Sequence, residues 1–142
     1  KQQIAQYLGS HPFLNLATVN AEGAPLAHTI AFAADEATVY FGTRKDTRKA
    51  ANMAANPKVA YTVDQDQYAG FAEITGVQME GTATVVSDPQ EIADADKLYK
   101  AKFGEAATIT PSDMHIVFKV EPFRAFYLNY VKGFGHKDLT EY

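Results

Sequence analysis

Thr38-Val39-Tyr40-Phe41-Gly42-Thr43-Arg44-Lys45-Asp46-Thr47-Arg48-Lys49-Ala50-Ala51-Asn52-Met53-Ala54-Ala55-Asn56-Pro57-Lys58-Val59 changes character several times along its length. Thr38 to Thr43 is rich in β-branched and aromatic residues, which fit a pleated, half-buried surface, so it predicts a strand. Arg44 to Lys49 is polar and charged. Thr47 to Ala55 predicts a helix. Asp46 or Thr47 supplies an N-cap oxygen, and Ala50, Ala51, Met53, Ala54 and Ala55 are mostly strong helix formers. Asn56-Pro57 stops the helix, since the proline ring pushes the preceding residue out of the α region. Lys58 to Val63 predicts the next strand. A helix set between strands makes the fold α+β rather than all-β.

The flanks extend the same pattern. Gln2 to Leu8 places Ile4, Tyr7 and Leu8 at helical spacing ahead of Gly9, a natural terminator. Phe13 to Val19 alternates and ends at the turn Asn20-Ala21-Glu22-Gly23. Leu26 to Phe32 predicts a second strand, and Ala34-Asp35-Glu36 a turn into the strand at Thr38. Connections this short imply an antiparallel meander, because parallel strands need crossovers of a dozen residues or more. Phe71 to Val86 is long for one strand, and Gly76 and Gly81 within it predict a bulge or a sharp bend. Asp88 to Phe103 predicts a further helix with Ile92, Leu98, Tyr99 and Phe103 as its apolar face. Ile116 to Val120 and Arg124 to Tyr130 predict two last strands. The expectation is a mainly β, α+β fold of six or seven antiparallel strands, barrel or sandwich, with two or three helices.

The chain has 142 residues, and no repeat or Pro/Gly/Ser-rich linker interrupts it. At roughly 100–200 residues per domain this predicts a single domain, 1–142. The absence of cysteine excludes disulfides and thiolate chemistry. Thirteen Lys plus Arg against 17 Asp plus Glu give a formal charge of −4, so no nucleic-acid partner is expected, since that would show a broad basic footprint. No apolar run approaches the ~18 residues of a membrane-spanning helix, and Lys1 to Gln6 lacks the apolar stretch of a secretory leader. A cytoplasmic location with no membrane partner is the expectation.

Basic charge is concentrated in one place. Arg44-Lys45-Asp46-Thr47-Arg48-Lys49 holds two of the three arginines in the chain. Arg48 and Lys49 fall in the first turn of the predicted helix, where the macrodipole already supplies positive charge. Cations there are disfavoured by about 0.3–1 kcal/mol each. One explanation is a bound anion, and phosphate suits such a position because it takes backbone N–H groups, a hydroxyl and charged side chains together. Thr43 and Thr47 offer hydroxyls on either side, and Gly42 lets a ligand approach the backbone. The other explanation is a solvated basic turn whose cations pair with nearby carboxylates.

The stretch 38–59 resembles the pyridoxamine phosphate oxidase-like FMN-binding split-barrel family. Leu16-Ala17-Thr18-Val19-Asn20-Ala21-Glu22-Gly23-Ala24-Pro25 is similar to that family's first hairpin, and Val77-Gln78-Met79-Glu80-Gly81-Thr82-Ala83 to a later central strand. The likeness spans about residues 13–130. It implies a six-stranded antiparallel split barrel, homodimeric, with FMN sites across the subunit interface and a small-molecule substrate. On this likeness Thr47, Arg48 and Lys49 match the phosphate-binding Ser/Thr-Arg-Lys. Phe41, Gly42 and Thr43 match the strand end beside the ribityl phosphate. His28, Thr29, Ile30 and Ala31 match the strand along the isoalloxazine ring, and Gln78 lies near a flavin-reaching glutamine. Departures matter too. The tail Lys132-Gly133-Phe134-Gly135-His136-Lys137-Asp138-Leu139 lacks the family's Arg-Leu-His run, and Ala31 stands where the family has lysine. Vitamin B6 oxidation is therefore not expected, and the chain is not read as a true pyridoxamine phosphate oxidase. An FMN-dependent oxidoreductase is the reading. Its alternatives are a deazaflavin- or haem-binding protein of the same fold, or a non-enzymatic flavin-binding module.

Other candidates carry less. His11, His28, His115 and His136 show no metal-ligand spacing, and no metal site is expected. Only His28 lies on the flavin-matching strand. No catalytic residue is assigned. Ser10, Ser87 and Ser112 lack a nucleophile-elbow setting, and no Gly-x-Gly-x-x-Gly or Walker sequence occurs. Tyr127 and Tyr130 suit stacking or packing at an interface, and Arg124 suits pairing with a carboxylate or the partner's cofactor.

Overall fold

A computed structural model describes residues 1–67 and 69–142. Among the described residues the order is α1 (Gln2–Ser10), β1 (Phe13–Val19), β2 (Pro25–Ala31), β3 (Ala33–Asp35), β4 (Thr38–Arg44), α2 (Arg48–Ala55), β5 (Lys58–Asp64), β6 (Thr75–Val85), α3 (Pro89–Phe103), β7 (His115–Asn129) and β8 (Lys137–Glu141). Short 3-10 turns occupy Phe71–Glu73 and Tyr130–Lys132. The strands form one antiparallel sheet in the order β2-β1-β5-β6-β7-β4-β3, with β8 added beside β7. The fold is α+β, an antiparallel split barrel carrying three α-helices.

The eight described strands exceed the six or seven expected. The two segments 116–120 and 124–130 are one strand, β7. Its first half pairs with β4 and its second half with β8, and this change of partner is where the barrel splits. Ala33–Asp35 is a strand rather than a turn because its backbone pairs with Thr38–Tyr40. Lys137–Glu141 becomes a strand by pairing with Arg124–Leu128. Phe71–Glu73, expected to begin a long strand, is a 3-10 turn instead.

Period-two alternation turns one side chain in every two toward the interior. Leu14, Leu16, Val39, Phe41, Tyr61, Val63, Val77, Met79, Phe118 and Val120 fill the barrel, and α1 adds Ile4, Tyr7 and Leu8. Met53 and Ala50 of α2 pack into the same core. Helix α3 covers the outer side of β4 and β7, where Tyr40, Val117, Ala95 and Ile109 form a second cluster joined by Ile92 and Tyr99. Leu98, expected on the apolar face of α3, is 37% exposed, and Ala95 takes the buried place. The outer side of β1, β5, β6 and the second half of β7 is left uncovered by any described helix.

Gly81 marks the bend. The β6–β7 register shifts between Glu80 and Gly81. A Cβ on Gly81 would lie 2.6 Å from the Glu121 carbonyl oxygen and 2.8 Å from Val120 Cγ1, so the strands close on each other only because no side chain is there.

Candidate functional site

At the end of β4, Thr43 turns inward and is buried, while Gly42 and Arg44 face outward. The Thr43 hydroxyl lies 3.2 Å from that of Thr47. Thr47 caps α2: its Oγ1 accepts from the Ala50 N–H at 3.3 Å and donates to the Arg44 carbonyl at 2.9 Å. Arg44 folds back onto Asp46 with two bonds, 3.0 and 2.9 Å. That pairing raises the Arg44 guanidinium and lowers the Asp46 carboxyl from their ordinary pKa values. One cation of the basic segment is thereby matched. Among the described residues no carboxylate pairs with Arg48 or Lys49. The first described backbone bond of α2 runs from the Ala51 N–H to the Thr47 carbonyl at 3.2 Å. The Arg48 and Lys49 N–H groups precede it and have no intrahelical acceptor.

Helix α2 is pinned to the barrel by a buried bond from Asn52 Nδ2 to Thr18 Oγ1, 3.1 Å. Between α2 and the β1–β2 hairpin lies a cleft of about 270 Å³ whose lining includes Asn20, Leu26, Arg48 and Asn52. Leu26 stands opposite Thr18 and His28 opposite Leu16, so both share the inward face of β2. His28 Nδ1 is enclosed and has no hydrogen-bond partner. Loss of hydration, then the positive charges of Lys49 and Arg48, holds the imidazole below its ordinary pKa.

The structure thus brings His28, Thr43, Thr47, Arg48 and Lys49 to one end of the barrel. The other expected site residues lie elsewhere. Ile30 and Phe41 are core residues, Phe41 fully buried with its ring 6.1 Å from that of Phe118. Gly42 faces the α3 side, its Cβ position 3.7 Å from Ile109 Cβ. Thr29, Ala31 and Gln78 are on the outer face. Thr29 donates to Asn15 Oδ1 at 3.1 Å, and Gln78 lines a shallow groove of about 290 Å³ with Ala17, Ala60, Thr62 and Phe126.

Arg124 makes two bonds of 2.7 Å to Glu80. His11 Nδ1 donates to the Tyr7 carbonyl at 2.7 Å, and His115 Nδ1 lies 3.0 Å from Ser112 Oγ. Among the described residues no cluster of metal-ligating side chains occurs, and no helix is long and apolar enough to cross a membrane. The sequence reading passed over Asn52, Leu26 and Asn20. Asn52 carries a usable signal, for it sits four residues after Arg48 and so shares its face of α2.

A sequence signature described as pyridoxamine 5'-phosphate oxidase matches residues 1–129. The chain belongs to the pyridoxamine 5'-phosphate oxidase family. No curated protein matches it by sequence. Among solved structures it is similar to a haem-binding protein from Mycobacterium smegmatis, with TM-score 0.82 and 18% identity over 99% of this chain; it spans 57% of that longer protein. HutZ, a haem storage protein from Vibrio cholerae, gives TM-score 0.72 and 20% identity, covering 84% of this chain and 87% of that one. General stress protein 26 from Bacillus anthracis gives TM-score 0.72 and 14% identity, covering 99% and 96%. Identities this low speak for the fold alone, and the proteins that share it carry different names. Within the family fold, the α2 start of this chain carries two adjacent cations, Arg48 and Lys49, without a carboxylate partner among the described residues.

Proposed function

We propose that the chain binds FMN with the phosphate at the start of α2 and acts as a flavin-dependent oxidoreductase on a small molecule. The observation that carries this reading is the pair of unmatched cations, Arg48 and Lys49, on a capped helix start beside the enclosed, unpartnered nitrogen of His28. The groups fit a phosphate. Two side-chain charges, two free backbone N–H groups and the helix dipole all favour a compact dianion there. Thr47 contributes by fixing the turn, since its hydroxyl is already engaged at both ends. Bound FMN would supply hydride or electron transfer, and the protein binding and orientation. A dimer with sites shared between subunits belongs to the same proposal. The uncovered outer groove, with Ala17, Ala60 and Phe126 along its floor and the Glu80–Arg124 pair beside it, is the face on which a second copy would sit.

The test is an absorbance spectrum of the purified protein after FMN is added and the excess removed by gel filtration. Flavin bands retained at about one per chain are the expected result. A colourless product overturns it.

One observation favours haem as a second reading. Phe71, Tyr130 and Phe134 make an exposed aromatic cluster, Phe134 being 83% exposed. Nearby in sequence, His136 Nε2 bonds Asp138 Oδ1 at 3.0 Å. An imidazole steadied by a carboxylate, two residues after an exposed aromatic side chain, suits a haem ligand, and two of the similar structures are described as haem proteins. Haem addition in the same spectrum separates the readings, since a Soret band lost in His136→Ala would place the ligand at the tail.

A further inference from the structure

A further cavity, of about 360 Å³, opens on the α3 side of β4, the side away from Thr43. Its size is within the range of small-molecule sites, about 300–1,000 Å³. One wall is the loop 104–114, which Asp96 pins back onto α3. One Asp96 oxygen accepts from Thr108 Oγ1 at 2.7 Å and from the Ile109 N–H at 3.0 Å, and the other accepts from Lys100 Nζ at 2.7 Å. The Ile109 side chain is buried with Tyr40 and Val117. The wall is therefore built by the fold itself.

The polar groups on the cavity follow from this pinning. Thr108 spends its one proton on Asp96, so in its 2.8 Å contact with Thr110 the Thr110 hydroxyl is the donor. The lone pairs of Thr110 Oγ1 are left as acceptors. Ser112 Oγ occupies Nδ1 of His115 at 3.0 Å and accepts from the Met114 N–H at 3.3 Å, so Nε2 is the ring nitrogen left for a ligand. Burial raises the Tyr99 hydroxyl above its ordinary pKa, which keeps it a neutral donor and acceptor. No Lys, Arg, Asp or Glu is among the lining residues. Gly42 adds a separate observation. Glycine weakens a strand interior, and here no positive φ requires it. Nor does close packing, since a Cβ would find its nearest atom, Ile109 Cβ, at 3.7 Å. The missing side chain leaves the cavity floor bare.

We propose that this cavity binds a neutral polyhydroxylated molecule of monosaccharide size. Walls without fixed charge have nothing to offset the desolvation of an ion. Hydroxyl groups both give and take hydrogen bonds, and so match Thr110 Oγ1, the Tyr99 hydroxyl and His115 Nε2 together. The C–H face of a sugar ring suits the Tyr99 ring and the Ile109 side chain. No residue of α2 lines the cavity, so the assignment is independent of the flavin reading.

The test is titration of the full chain with glucose, myo-inositol and glucose 6-phosphate, following the His115 ring C–H resonances by NMR, assigned with His115→Gln. Glucose or myo-inositol should shift them saturably, and glucose 6-phosphate should bind more weakly. Thr110→Val removes the acceptor at nearly constant shape and should weaken binding roughly tenfold, the upper worth of one hydrogen bond. Gly42→Ala sets a methyl group on the floor and should weaken binding at least as much while the protein stays folded. The proposal is overturned if neither neutral probe moves His115, if glucose 6-phosphate binds more tightly than glucose, or if folded Gly42→Ala and Thr110→Val bind as the unaltered protein does.

Discussion

Arg48 and Lys49 stand where a helix start disfavours them, and each forgoes a carboxylate partner among the described residues. If they exist to hold a phosphate, their loss falls on binding. Hydrogen bonds to charged groups contribute about 1.5–3 kcal/mol each, so Arg48→Ala/Lys49→Ala should weaken FMN binding roughly 10²–10⁴-fold, read by flavin fluorescence quenching. Unchanged affinity in the folded variant would refute the assignment. Lys102 is a second misplaced cation. Its Nζ donates to the Leu8 and Phe32 carbonyls, 3.1 and 3.0 Å, and lies 3.7 Å from the Phe32 ring centre. Burial lowers its pKa from 10.5 to about 8. The folded state therefore binds fewer protons than the unfolded chain between these values, and stability rises with pH across that window. Urea unfolding at pH 7.5 and 10 should show the wild type gaining relative to Lys102→Met. An equal change in both would show that Lys102 does not titrate in this window.

At the scale of elements, the helix α2 was legible from end to end. Thr47 is the cap, and Asn56-Pro57 ends the helix, because capping and the proline clash are local physics. The placing of Arg48 and Lys49 in the first turn of α2 was legible for the same reason. What the sequence did not reveal was which residues share a face. His28 and Thr29 are neighbours in sequence, yet one stands opposite Leu16 on the inward face and the other bonds Asn15 on the far side of the sheet. Alternation says that neighbours differ, and only the pairing register says which is which. Strands β3 and β8 escaped because nothing local makes them strands; each exists through its partner alone. The β3–β4 turn holds Glu36 at φ 56°, a conformation that its side chain does not advertise. Gly81, by contrast, announced its bend. Gly81→Ala would force the backbone from Glu121 or shift Val120, an overpacking cost of about 1–3 kcal/mol. A lower thermal midpoint with little change in spectroscopic fold content is the expected outcome.

For the whole molecule, helices shield only part of the barrel wall. The floor of the outer groove is built of small residues, Ala17 and Ala60, flanked by Phe126, and the dimer proposed above would seat its second copy there. An arginine in place of Ala60 would put charge and bulk at its centre while leaving the inward-facing core untouched. Ala60→Arg should convert a dimer to a monomer in sedimentation analysis without loss of secondary structure, and if FMN sites are shared, flavin retention should fall with it. A monomeric wild type would sink the idea outright.

Phe32 alone separates β2 from β3, the two strands that end the hydrogen-bonded order. The β1–β2 and β3–β4 hairpins are therefore tethered back to back by one residue, and each pairs strands that follow one another in the chain. The β5–β6–β7 meander, made later in the chain, must then dock on β1 at one side and β4 at the other. Loop closure of that kind is slow compared with hairpin formation. Closing the ring is thus the expected rate-limiting event in folding, and a chain released from a ribosome before β7 has emerged would hold two finished hairpins with no wall to join them.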